Sequence, residues 1–201
     1  MNTLFIDTEY ANVYAKSAGK QGAPLVLGIH GYSQRNGWHT WEPLLAPLAE
    51  AGFWVVSVDM PGWGQSVLQK PQRLTNGTAV DAVIQIMDGL GAETAVLMGK
   101  SWGGGVALDT AVAQPHRITK LILTAPVRRS LDDLANLTQP VLLAWAKDDP
   151  VIPYEYAQKY VQRIPCIQLE TYETGGHSAA QKNADNFAPK AIAFLKKSTV
   201  D

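Results

Sequence analysis

The chain has 201 residues, of which 46% are hydrophobic and 17% charged, with a formal net charge of −1. That size and mix fit one globular domain over 1–201 with a sizeable core, and they exclude a disordered chain. Basic residues cluster no further than the pairs Arg128-Arg129 and Lys196-Lys197, so nothing points to nucleic acid or an anionic membrane as partner. In chain order, Met1 to Asp7 lacks a charged head, a long apolar stretch and a small-residue cleavage site, so no signal peptide is expected. No apolar run approaches membrane-spanning length. Leu4-Phe5-Ile6 and Ala11 to Ala15 read as an opening antiparallel pair of strands. Apolar runs follow at Leu25 to Ile29, Phe53 to Val58, Thr94 to Met98, Leu121 to Thr124, Val141 to Trp145 and Ile167 to Tyr172. Between them, Trp41 to Ala51, Gly77 to Leu90, Trp102 to Ala113, Tyr154 to Arg163 and Asn183 to Lys196 read as helices, with Gly52 and Gly91 as C-terminal stops. The alternation predicts an α/β fold, a mostly parallel eight-stranded sheet flanked by helices. A single cysteine, Cys166, on an expected strand, excludes an internal disulfide and suits a reducing compartment, so the expected location is cytoplasmic.

Gly99-Lys100-Ser101-Trp102-Gly103 joins the apolar run Ala95 to Met98 to the expected helix at Trp102. A strand, G-x-S-x-G and a helix make a turn so tight that the residues two before and two after the serine have no room for side chains. The turn lifts the Ser101 hydroxyl above the sheet edge and sets the Trp102 backbone N–H at a helix start, aimed at a developing negative charge. Asp148-Asp149 follows an apolar strand, where an acid would stand at the sheet's carboxyl edge. His177 lies in Gly175-Gly176-His177-Ser178, a loop after another strand. Upstream, Leu25 to Ile29 ends in His30-Gly31-Tyr32, which offers the Tyr32 N–H as a second donor.

With these residues the chain resembles the α/β-hydrolase-fold serine hydrolases over essentially its whole length. The resemblance rests on His30-Gly31, Asp59-Met60-Pro61-Gly62-Trp63-Gly64-Gln65-Ser66, the Ser101 elbow, Asp149-Pro150-Val151-Ile152-Pro153 and Gly176-His177, in that order. It implies a catalytic triad of Ser101, Asp149 and His177, with Tyr32 and Trp102 as backbone oxyanion donors and no metal or organic cofactor. The family's spacing from the acid to Pro153 favours Asp149 over Asp148. Many members carry a helical lid before the acid-bearing strand; here only thirteen residues, Val127 to Gln139, are available, so no lid domain is expected. The implied reaction is hydrolysis of short-acyl carboxylic esters, small-molecule substrates, through an acyl-enzyme. The same machinery serves a deacylase or thioesterase, and the fold also hosts non-catalytic binding proteins.

Several residues carry plainer readings. His39 and His116 suit structural or solvent-facing positions, and His30 suits a hydrogen-bonding role in its own loop. Lys100, where the family more often has an uncharged residue, can snorkel to the surface or pair with an acid. Trp38, Trp41, Trp63 and Trp102 suit core and loop packing, with Trp63, Trp38 and Trp102 the candidates for a substrate pocket. Cys166 reads as an inert small hydrophobe. Nothing in the sequence speaks to oligomeric state.

Overall fold

The computed structural model describes residues 1–69 and 74–197. Its elements run β1 (Asn2–Asp7), β2 (Asn12–Ala18), β3 (Leu25–Ile29), α1 (Glu42–Glu50), β4 (Trp54–Val58), α2 (Asn76–Gly89), β5 (Ala95–Lys100), α3 (Trp102–Ala113), β6 (Ile118–Thr124), β7 (Val141–Ala146), α4 (Glu155–Val161), β8 (Ile167–Tyr172), α5 (Ala179–Lys182) and α6 (Ala184–Lys196). The strands form one 8-stranded sheet in the order β1-β2-β4-β3-β5-β6-β7-β8. β1, β2 and β4 pair antiparallel, and every pairing from β4 to β8 is parallel.

β3, β4 and β7 are buried along their whole length and apolar but for Ser57 of β4, because helices cover both faces of the parallel part. Strand alternation then sorts their side chains into two cores. Leu25, Leu27, Ile29, Val56, Leu97, Leu123 and Leu143 pack with Val83 and Ile86 of α2, Val106 and Leu108 of α3, and Tyr160 of α4. Val26, Val55, Val96, Met98, Ile122, Leu142 and Ala144 pack on the other face with Leu44, Leu45 and Leu48 of α1 and with Phe187 and Phe194 of α6. α1 and α2 end at Gly52 (φ +103) and Gly91 (φ +68), in the left-handed conformation expected of such stops.

The structure departs from the sequence reading in three places. β6 starts at Ile118 and takes in Lys120, a buried lysine. Its ammonium donates to the carbonyls of Phe194 (2.9 Å), Leu195 (2.9 Å) and Lys197 (2.6 Å), capping the C-terminus of α6, where a cation is favoured. Cys166 is exposed just ahead of β8 rather than packed on it, since β8 is the outer strand of the sheet. Short helical turns at Trp38–Trp41 and Gly176–Ser178 have no periodic signature in the sequence.

Between β6 and β7 the chain makes one 3-10 turn, Asp132–Asn136, and no lid domain. Arg128, whose side chain is 9% exposed, clamps this connection to the fold. Its guanidinium bonds Asp109 of α3 (2.6 Å), the Ser130 carbonyl (2.9 Å) and the Asp133 carboxylate (2.8 Å).

Candidate active site

Ser101 links β5 to α3 at φ 54, ψ −119, a region that costs a non-glycine residue about 1–3 kcal/mol. The surroundings hold it there. Its N–H donates to Thr124 O (2.9 Å), and its carbonyl accepts from Gly104 (3.0 Å), Gly105 (3.1 Å) and Val127 (2.9 Å). A Cβ on Gly99 would lie 2.5 Å from the Gly103 carbonyl oxygen, and one on Gly103 would lie 2.3 Å from that of His30. Both glycines are therefore required by close backbone approach. A Cβ on Gly31 would lie 3.6 Å from the Ser101 Cβ, which puts the end of β3 against the serine.

His177 and Asp149 meet at the end of β7. Nδ1 of His177 lies 2.9 Å from Oδ2 of Asp149, whose side chain is fully buried. The second carboxylate oxygen accepts from the Val151 (2.8 Å) and Ile152 (3.0 Å) N–H groups. The carboxylate can only accept, so Nδ1 carries a proton, and in the neutral imidazole Nε2 is the acceptor. Nε2 is buried and bonds neither Ser101 nor any other described residue. The adjacent acid does different work: Asp148 accepts from Gly175 (3.3 Å) and Gly176 (2.7 Å), steadying the histidine loop. Lys100, next to Ser101 in the chain, is half-buried; burial pulls its pKa down, Lys182 adds to the fall and Asp149 opposes it.

The backbone N–H groups of Tyr32 and Trp102 bond no other described residue. Around them gathers an aromatic cluster. Trp63 stacks on Trp102 with centroids 5.0 Å apart, and Tyr32 meets both indoles edge-on at 5.8 and 6.0 Å. His30 lies beneath, fully buried, with burial driving its pKa down to about 4. Met60 N–H donates to its Nε2 (3.0 Å), so Nδ1 holds the proton and donates to Gly31 O (2.7 Å). Trp38 stands apart from the cluster, under the Lys16 ammonium (5.7 Å) and edge-on to His39.

One feature escaped sequence reasoning. A cleft of about 280 Å³ is bounded by Pro126 and Val127, next to Ser101, and by Val151, Ile152 and Tyr156, next to Asp149. These residues meet only through tertiary structure, and no local pattern announces them. A larger cavity of about 660 Å³ lies at the opposite end of β7 and β8, beside Lys120 and Phe194, away from Ser101, Asp149 and His177. Among the described residues no cluster of three or more His, Cys, Asp or Glu is placed to hold a metal ion.

Residues 24–138 match the alpha/beta hydrolase fold family and residues 121–201 a family described as TAP-like protein. The chain belongs to the α/β-hydrolase fold family and is a hydrolase of that fold. It is 24% identical to 2-hydroxy-6-oxo-6-phenylhexa-2,4-dienoate hydrolase of Comamonas testosteroni over 266 aligned positions, covering 92% of this chain and 91% of that protein. A predicted CIB-like hydrolase from Thermoplasma acidophilum is similar in structure, with TM-score 0.89, 25% identity and coverage of 96% and 97% of the two chains. Naproxen esterase from Bacillus subtilis shares the fold at TM-score 0.88 and 14% identity, over 97% of this chain and 91% of that one.

Proposed function

We propose that this chain is a serine hydrolase, carboxylesterase-like, that cleaves short-acyl esters of small molecules through Ser101, His177 and Asp149. One observation carries the reading. A serine is held in a strained turn, and a fully buried Asp149 holds the His177 imidazole through Nδ1, leaving Nε2 without a hydrogen-bond partner. His177 takes the Ser101 proton as the oxygen attacks the ester carbonyl, and Asp149 stabilises the imidazolium. The Tyr32 and Trp102 N–H groups hold the oxyanion, each worth about 3 kcal/mol in comparable sites. His177 then protonates the leaving alcohol, and water repeats the cycle on the acyl-enzyme.

The missing lid favours a second substrate class, an acyl amine or thioester displayed on a larger molecule, because the connection between β6 and β7 carries only one 3-10 turn. A fluorophosphonate probe followed by a panel of p-nitrophenyl esters and acyl-lysine peptides tests both readings. Labelling abolished by Ser101→Ala, with ester turnover, supports the esterase. No labelling of the intact protein leaves a non-catalytic member of the fold. No helix among the described residues is long and apolar enough to cross a membrane. The cytoplasm, proposed for the single cysteine, and a single domain over 1–201 complete the reading.

A further inference from the structure

An oxyanion hole assembled from two chain segments works only if the segments are fixed relative to each other, to within about 0.5 Å. Here the donors come from the end of β3 (Tyr32) and the first turn of α3 (Trp102). We propose that Trp63 is a positioning residue that locks these two donors together; the inference rests on the serine-hydrolase reading above.

Trp63 belongs to neither segment. It sits in the loop after β4 and reaches both. Its indole Nε1–H donates to the Tyr32 carbonyl at 3.0 Å, and the same ring stacks on the Trp102 indole at 5.0 Å and 22°. The trans peptide plane explains why a bond to a carbonyl orients an N–H. Fixing one C=O fixes the N–H of the same plane on its opposite side. His30 Nδ1 pins the Gly31 carbonyl, whose plane carries the Tyr32 N–H, and Trp63 pins the next plane. Two successive planes held in this way leave the donor little freedom to swing.

The support is itself braced. The Trp63 N–H donates to Met60 O (2.8 Å), and its carbonyl accepts from Ser66 (2.9 Å). The Asp59 carboxylate accepts from Trp38 N–H (2.7 Å) and Gln65 N–H (2.9 Å), tying the loop to the turn that precedes α1. The glycines on either side of Trp63, Gly62 (φ +93) and Gly64 (φ +51), let the chain turn sharply enough to aim it inward. At 6% exposure, Trp63 offers a ligand almost no surface, which separates this role from that of a pocket wall.

The test compares wild type with Trp63→Phe and with Trp63→3-benzothienylalanine, an isostere of tryptophan that lacks the N–H. Turnover of p-nitrophenyl butyrate gives kcat and KM. A trifluoromethyl ketone reports the oxyanion hole. Ser101 Oγ bonds its carbonyl carbon, the Ser101 proton passes to His177, and the carbonyl oxygen becomes the anion the donors must hold. In both variants kcat is expected to fall on the order of tenfold and ketone affinity by the same factor, with KM changed by less than about twofold. The melting temperature of the benzothienylalanine variant is expected to match wild type. Unchanged kcat and ketone affinity in that variant overturns the proposal, as does a rise in KM at constant kcat. Wild type that neither cleaves esters nor binds the ketone overturns the serine-hydrolase reading itself. Active wild type confines any failure to Trp63.

Discussion

Asp149→Asn separates the two neighbouring acids. Oδ1 of Asp149 accepts from the Val151 and Ile152 N–H groups at 2.8 and 3.0 Å, and only an oxygen can satisfy those donors. In the asparagine variant the amide oxygen therefore keeps that place. The amide nitrogen takes the position of Oδ2, 2.9 Å from His177 Nδ1. An NH₂ group can only donate, so Nδ1 must become the acceptor and the imidazole proton moves to Nε2. That nitrogen can then no longer take the serine proton. We expect kcat to fall about 10⁴-fold, or about 5 kcal/mol in the barrier, with the melting temperature nearly unchanged because both backbone bonds survive. Asp148→Asn keeps an oxygen to face the Gly176 N–H and is expected to stay within about threefold of wild type. Esterase kinetics supply the rates, and ¹⁵N NMR of His177 reports the tautomer directly. An Asp149→Asn enzyme above a tenth of wild-type activity, or the reverse order of the two variants, would refute the reasoning.

Ser101→Ala is expected to fold normally, lose fluorophosphonate labelling and lose about 10⁴-fold or more in turnover, measured by steady-state kinetics and differential scanning fluorimetry. Across p-nitrophenyl esters from acetate to palmitate, the rate is expected to peak at roughly two to six carbons, because an added methylene contributes about 0.8 kcal/mol only where it is buried. A rate jump when droplets form would contradict the absence of a lid. Stability is expected to depend on His30 in acid. Its folded pKa of about 4 lies below the unfolded value of about 6.5, so its contribution is complete above pH 6.5 and is lost as the pH falls toward 4. The expected loss is about 3 kcal/mol, and denaturant midpoints for wild type and His30→Gln across that window check it: the variant's curve should be flatter.

Where chemistry is local, the sequence was readable. The continuous apolar runs of β3 and β7 read as strands, and Gly99 and Gly103 mark the elbow because a Cβ there has nowhere to go. The residues that act through distant partners were hidden. Lys120 reads as a break in an apolar run until α6 arrives with three carbonyls to receive it. The spacing to Pro153 favours Asp149 over Asp148, but the separate work of Asp148 appears only when one acid faces the imidazole and the other the glycine loop. The tryptophans were visible as bulky residues, yet which of them stack depends on how the loop after β4 folds over α3. His30, expected to serve its own loop, also receives the Met60 N–H from the loop after β4.

The clamped connection between β6 and β7 makes this enzyme a chassis with a vacant mounting point. Both ends of the connection are anchored independently of the turn at Asp132–Asn136: one by Val127 on the Ser101 carbonyl, the other by the Pro140 carbonyl on Leu121. Closure entropy grows only with the logarithm of length, so an insertion of roughly 80 residues there costs about 1.5 kcal/mol in loop entropy. An alignment of 266 positions for a chain of 201 residues shows that a relative accommodates additional sequence around the same fold. A cover grafted at that turn is expected to change which molecules reach Ser101, while the Val127 and Pro140 hydrogen bonds stay in place.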